Sequence, residues 1–265
     1  MQARSWTLSI LNAFGLLLVV FTNYLAVSLP LNGRSTGELS ALYPNLFVPA
    51  GFTFSIWGII YISLLLWISY QFWFTIKKRT SFLLGQRLVG LWFLASCVFN
   101  IAWIFAWHYE LPGLALLVMI LLLFTLIQIY RNLGIGLRET SHRERFFMHL
   151  PFSVYLAWIS VATIANTTAF LVSLGFEGAG LPPEFYAAIM LTIAGLLALF
   201  FLNYNVDVFF SAVIIWAAYG IFHKHYYTLE QSYPVVYTSA LAVIFLLIVK
   251  YLQLRSKCPK TRAYW

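Results

Sequence analysis

Charge is what this sequence has least of. Asp, Glu, Lys and Arg make up only 9% of its 265 residues, against roughly a quarter in an ordinary soluble domain, and that excludes a water-soluble globular protein. Cysteine is nearly absent: Cys97 lies inside an apolar run and Cys258 close to the C-terminal end, which gives neither a disulfide framework nor a metal-ligand spacing. Catalytic signatures are missing as well. No His-Glu-x-x-His helix, phosphate-binding glycine loop, Gly-x-Ser-x-Gly turn or pair of carboxylates in apolar runs occurs, so the sequence predicts a protein that is not an enzyme. Asp207 stands where the seventh apolar run begins, and a helix cap accounts for it better than a proton relay. His108, His223 and His225 end apolar runs on one side and are expected as interfacial residues rather than haem or metal ligands.

What fills the sequence instead is apolar and aromatic, 62% and 19% of the residues respectively. The runs are about 20 residues long, the length a helix needs to cross ~30 Å of hydrocarbon, whereas barrel strands would alternate over ~10 residues. Eight spans are predicted, at about 7–29, 50–74, 88–108, 113–130, 148–173, 185–204, 206–223 and 234–252. The join at 203–207 is so short that the sixth and seventh spans also fit one broken helix. The first span has the outline of a secretory signal. Its Asn12 and Asn23, however, are three helical turns apart and share a face, as in a packed helix that hydrogen-bonds to neighbours.

The net charge of +8 sits mostly in short loops, where it sets membrane topology and gives no reason to expect nucleic acid. With the N-terminus in the cytoplasm, 14 of the 16 Lys and Arg lie on the inner side and only Arg34 and Lys224 outside. The fold class is therefore all-α: a polytopic integral membrane helix bundle of about eight transmembrane helices, both termini cytoplasmic, with the lipid bilayer as its first partner. The expected location is the cytoplasmic (inner) membrane of a bacterium. The longest outer loop holds the Asn32-Gly33 turn signal and a Ser35/Glu38 capping box for a short helix, Thr36 to Leu42, that Pro44 ends. It serves either as a roof on the bundle or as a solvated connector.

Past that loop the chain turns apolar between Pro44 and Tyr61, and Pro49 is expected to open the second helix, which continues to about Phe74. Phe54, Trp57 and Tyr61 fall at i, i+3, i+7 on one face, as do Asn100, Trp103 and Trp107 in the third span, with Phe99 beside them. In the fifth span Trp158 and Ala162 share a stripe that Asn166 adjoins. At 1.5 Å of rise per residue, these groups and Asn23 lie at one level in the outer half of four helices. Such a set describes an apolar, aromatic-lined pocket with a few orienting polar groups; equally, it describes interfacial aromatics and amides that join helices.

Three motifs among these residues resemble the TspO/MBR family of tryptophan-rich sensory proteins (translocator protein, peripheral benzodiazepine receptor-like). Pro49, Trp57 and Tyr61 are similar to its proline, tryptophan and tyrosine at the start of helix two. Phe99, Asn100 and Trp103 resemble its Phe-Asn-x-x-Trp in helix three, and Tyr155, Leu156, Trp158 and Asn166 its helix-five motif. Helix two departs from the family in having Asn45-Leu46-Phe47 and a lone Pro49 where paired tryptophans and a double proline stand. The resemblance covers about residues 1–172. It implies a five-helix ligand-binding bundle (1–173), followed here by three additional transmembrane helices (174–254) and a basic cytoplasmic tail (255–265). Its implied ligand is a hydrophobic small molecule, a porphyrin or haem or a lipid, held under the first outer loop with a sensory role; transport of a small solute is the alternative. The extra helices would widen the bundle or form an oligomer contact such as a homodimer.

Overall fold

The structure is a computed structural model that describes residues 2–29, 31–34, 36–77, 80–137, 140–176, 178, 180–229 and 233–257; for 2–5, 80–88 and 257 it describes the backbone alone. Among the described residues the fold is all helical. The elements are α1 (Gln2–Ser28), α2 (Thr36–Ala41), α3 (Ile56–Ile76), α4 (Thr80–His108), α5 (Pro112–Leu133), α6 (His142–Glu144), α7 (Leu150–Ser173), α8 (Pro183–Tyr204), α9 (Val208–His223) and α10 (Pro234–Lys257). Eight of the helical stretches are long and apolar enough to cross a membrane, the first at Trp6–Ser28 and the last at Pro234–Ser256. Eight crossings, an even number, would put Gln2 and Lys257 on one side. The opposite side, which carries the 29–55 segment, is called outer below, after the charge distribution.

Local chemistry sets several boundaries. Pro112 opens α5, where its missing amide costs nothing, and Gly134 ends it in the left-handed conformation at φ 60°. Five helices form a ring in the order α1, α4, α5, α7, α3 and back to α1. α7 is the hub, touching α3, α5 and α9, and every residue from Pro151 to Val161 is buried. Trp67 of α3 anchors the inner half, with its ring 4.8 Å from Phe93 and 5.0 Å from Phe152. α9 packs on α7 and α8, and α10 covers α8 and α9. α1 belongs to the ring, as the Asn face suggests: Asn12 is fully buried and donates to Gln71 Oε1 at 3.2 Å.

The sixth and seventh spans are two helices joined by an elbow, Asn205 to Asp207, in which Val206 takes a positive φ of 49°. Asp207 caps α9 by accepting from the Phe210 amide at 3.0 Å, and it does more than cap. Its Oδ2 also accepts from Ser153 Oγ at 2.7 Å and Tyr130 OH at 2.9 Å, joining α7 and α5 to the elbow. Burial pushes this carboxyl up from its ordinary value of 3.8, and the hydrogen bonds from Ser153, the backbone and Tyr130 oppose that rise. The turn after α5 seats against the same elbow. Asn205 Nδ2 donates to Ile135 O at 2.8 Å, and a Cβ on Gly136 would stand 1.9 Å from Asn205 O.

One boundary differs from expectation. Pro49 does not open the second spanning helix; Ala50 is extended at φ −62°, ψ 150°, and helical structure begins with a 3-10 turn over Gly51–Ser55. The reason is tertiary, because the Ala50 amide donates to Gly220 O of α9 at 3.1 Å and holds the chain open there. The expected capping box at Ser35 lies outside the described residues, as do Cys258 and the end of the basic tail.

Candidate ligand-binding cavity

The first outer loop folds down onto the bundle and is pinned along both halves. In the first half Asn32, in left-handed turn geometry at φ 56°, donates to His108 O at 3.0 Å. Arg34 pairs with Glu110 at 2.8 Å, and Trp107 Nε1 donates to Thr36 O at 3.4 Å. Tyr43 stacks obliquely on Trp107, 5.6 Å between ring centroids. Burial and the Glu110 carboxylate push the Tyr43 hydroxyl above its ordinary value of 10. The second half is gripped by the outer end of α9 and the π-turn that follows it, Lys224–Thr228. Lys224 Nζ donates to Val48 O at 3.0 Å, His225 Nε2 to Leu46 O at 2.8 Å, and Trp216 Nε1 to Thr53 O at 3.0 Å. His108 and His225, expected at the interface, are consequently buried beneath the loop at 0% and 1% exposure.

Below this roof lies a cavity of about 1540 Å³. α1 contributes Asn23 and Tyr24, α3 contributes Trp57 and Tyr61, and α4 contributes Trp103. Phe54 and Pro49 stand in the loop-side wall, and Lys224, His225 and Tyr233 complete the lining at the lip. Trp57 and Tyr61 stack at 5.6 Å with 23° between their planes, so they present one continuous aromatic surface. The Tyr61 hydroxyl is buried without a hydrogen-bond partner among the described residues. Tyr24 and Val27, also in the wall, remain 60% and 67% exposed, so the cavity reaches the outer half of the α1 surface.

Six of the sequence-predicted residues therefore line the cavity: Asn23, Pro49, Phe54, Trp57, Tyr61 and Trp103. The others stand behind the wall and hold it. Asn100 accepts from Asn23 Nδ2 at 3.0 Å and donates to Tyr155 OH at 3.0 Å, a chain that crosses α1, α4 and α7. Asn166 Oδ1 accepts from Trp103 Nε1 at 3.0 Å, while its Nδ2 donates to Ala162 O at 2.8 Å. Trp158 lies edge-on to Phe54 and Trp57, at 5.9 and 6.3 Å. Trp107 stacks on the roof side of Trp103 at 6.2 Å, and Phe99 packs against the core.

The sequence pattern missed the contribution of α9 and its π-turn. Lys224 was visible there as one of two outer basic residues, but nothing local to it points at a loop 176 residues earlier.

Aromatic rings on α3, an Asn–Asn–Tyr network across the ring and a roof from the first loop are thus parts of one site. Compared with known families, residues 9–252 match the model described as TSPO-like protein. The chain belongs to the TSPO-like family. No curated protein and no solved structure matches it. The match runs through α8 and α9 and into α10, so the likeness of this TSPO-like chain to its family takes in the helices that grip the loop as well as the five-helix ring.

Proposed function

We propose that this TSPO-like membrane protein binds a hydrophobic small molecule, a porphyrin or other tetrapyrrole or a lipid-like compound, and acts as a sensor or regulator rather than as an enzyme. The observation that carries the reading is the roofed cavity of about 1540 Å³ with the stacked Trp57 and Tyr61 on its wall. That volume exceeds the roughly 300–1,000 Å³ of a drug-sized site and suits a large flat or elongated molecule. Stacked rings favour flat ligands because offset aromatic contacts add to the gain from apolar burial. The charge distribution of the loops supports an orientation with the roof on the outer side, and the location we propose is a bacterial cytoplasmic membrane. Asp207, the residue that a proton-coupled transporter would use, belongs to the elbow and contributes nothing to the cavity wall.

The test is quenching of intrinsic tryptophan fluorescence by protoporphyrin IX in detergent-solubilised protein. Saturable quenching is expected, weakened several-fold by Trp57→Ala through lost stacking and by Asn100→Ala through loss of the group that orients Asn23. Quenching that never saturates and ignores both substitutions would remove the basis for this reading.

A further inference from the structure

The cavity is not uniformly apolar, and among its described residues it carries one charge, at the lip gripped by the π-turn. Among the described residues of the wall, Lys224 is the only one with a formal charge, and no Asp or Glu accompanies it. Its ammonium gives a hydrogen bond to Val48 O at 3.0 Å, and no carboxylate lies against it among the described residues. An ammonium has three hydrogens to donate, so donors remain beyond the one given to the loop.

The next residue brings an independent signal. His225 lies in the same wall, 1% exposed, with Nε2 2.8 Å from Leu46 O. A carbonyl oxygen only accepts, so Nε2 carries the hydrogen and Nδ1 of the neutral ring is a bare acceptor. That Nδ1 is buried and has no partner among the described residues, a condition native proteins rarely leave unanswered. The two side chains are not mobile surface groups either, because their bonds to Val48 and Leu46 fix both to the lip of the cavity. The π-turn is what puts consecutive residues of this kind there; such turns recur at functional sites.

We propose that the ligand of this cavity is an amphipathic acid, with an apolar body against Trp57, Tyr61 and Trp103 and a carboxylate or phosphate head at Lys224, beside His225. The ionised head accepts from the Lys224 ammonium, and low surrounding polarity strengthens that contact. A neutral ligand of the same shape would cover the ammonium with apolar atoms and lose its hydration without replacement. This inference rests on the cavity reading above and narrows it to one ligand class.

The experiment compares protoporphyrin IX with its dimethyl ester, which keeps the apolar body and removes the acid, on the intact protein in one detergent. The acid should bind about tenfold more tightly, the ratio expected for one charge-assisted contact. That preference should shrink to about twofold in Lys224→Gln and persist in Lys224→Arg. The glutamine keeps a donor for Val48, so the lip is retained while the charge is lost. Displacement of the porphyrin by oleate or by lysophosphatidate, with oleyl alcohol as the neutral control, tells a carboxylate head from a phosphate one. Equal binding of acid and ester by the unaltered protein, a preference indifferent to Lys224→Gln, or displacement by the alcohol as strong as by either acid overturns the proposal while leaving the cavity as a binding site. If neither porphyrin binds saturably, the cavity reading itself fails and takes this one with it.

Discussion

Gly220 of α9 lies so close to Thr53 that a Cβ built on the glycine would stand 2.0 Å from the threonine Oγ1 and 2.9 Å from Cγ2. Thr53 is fully buried, and its carbonyl accepts from Trp216 on the same helix. The Gly220 carbonyl in turn accepts the Ala50 amide. The start of the second span is therefore moulded on α9, and the shape of the cavity lip depends on a helix outside the five-helix ring.

Gly220→Val should force that lip away from α9. We expect a loss of about 1–3 kcal/mol, in the range of overpacked sites, together with weaker porphyrin quenching. Gly58→Ala is the matched control: it is exposed on α3 with open space around it and should be neutral or raise stability by up to ~1 kcal/mol. Thermal unfolding in detergent compares the two, and equal effects would contradict the packing account.

Removing the elbow carboxylate should be costly. Asp207→Ala leaves the Tyr130 and Ser153 hydroxyls and the Phe210 amide without their acceptor. At about 1–3 kcal/mol per orphaned buried group, a loss of roughly 3 kcal/mol or more is expected. Asp207→Asn retains one carbonyl oxygen and should lose less. Porphyrin binding per folded molecule should stay unchanged in Asp207→Asn, since no cavity-wall residue belongs to this cluster; a large change in affinity would tie the elbow to the site.

Asn23 and Asn100 should couple. Their hydrogen bond joins α1 to α4 at 3.0 Å, and interhelical bonds in membranes contribute about 0.6–2 kcal/mol. A double-mutant cycle with Asn23→Ala and Asn100→Ala on unfolding free energy should return an interaction of that size, and strictly additive effects would show that the two residues act apart.

Val206 is strained. A β-branched residue at φ 49° pays the left-handed penalty of about 1–2 kcal/mol that Asn or Gly largely avoids. Val206→Asn should therefore raise the unfolding midpoint, as measured by the same thermal assay. A fall would mean that the valine side chain contributes more through packing than the backbone loses.

The spans were legible because a bilayer imposes a local requirement: some 20 consecutive apolar residues leave a signal within the segment itself. The aromatic faces were legible for the same kind of reason, since helical spacing alone aligned Trp57 with Tyr61 and Trp103 with Trp107. Asn32-Gly33 announced its turn by residue type, and Asn32 takes the positive φ that such turns require. The two readings left open for the aromatic and amide groups both turn out to describe part of them. Asn23, Trp57 and Tyr61 face the cavity, whereas Asn100 and Asn166 spend their amides on Asn23, Tyr155 and Trp103 behind it. Periodicity places a side chain on a face but does not say which neighbour meets it.

By itself, then, the sequence determined an all-helical membrane protein of eight spans with aromatic and amide groups gathered at one level. Only the tertiary structure decided that the first loop is a roof, that Pro49 precedes rather than opens its helix, and that Lys224 and His225 hold the lip. The physical reason is that each of these rests on backbone carbonyls, those of Gly220, Val48 and Leu46, meeting donors from distant segments. A carbonyl is present at every residue and carries no sequence signature. Which one is free to accept, and which donor reaches it, emerges only when the helices pack.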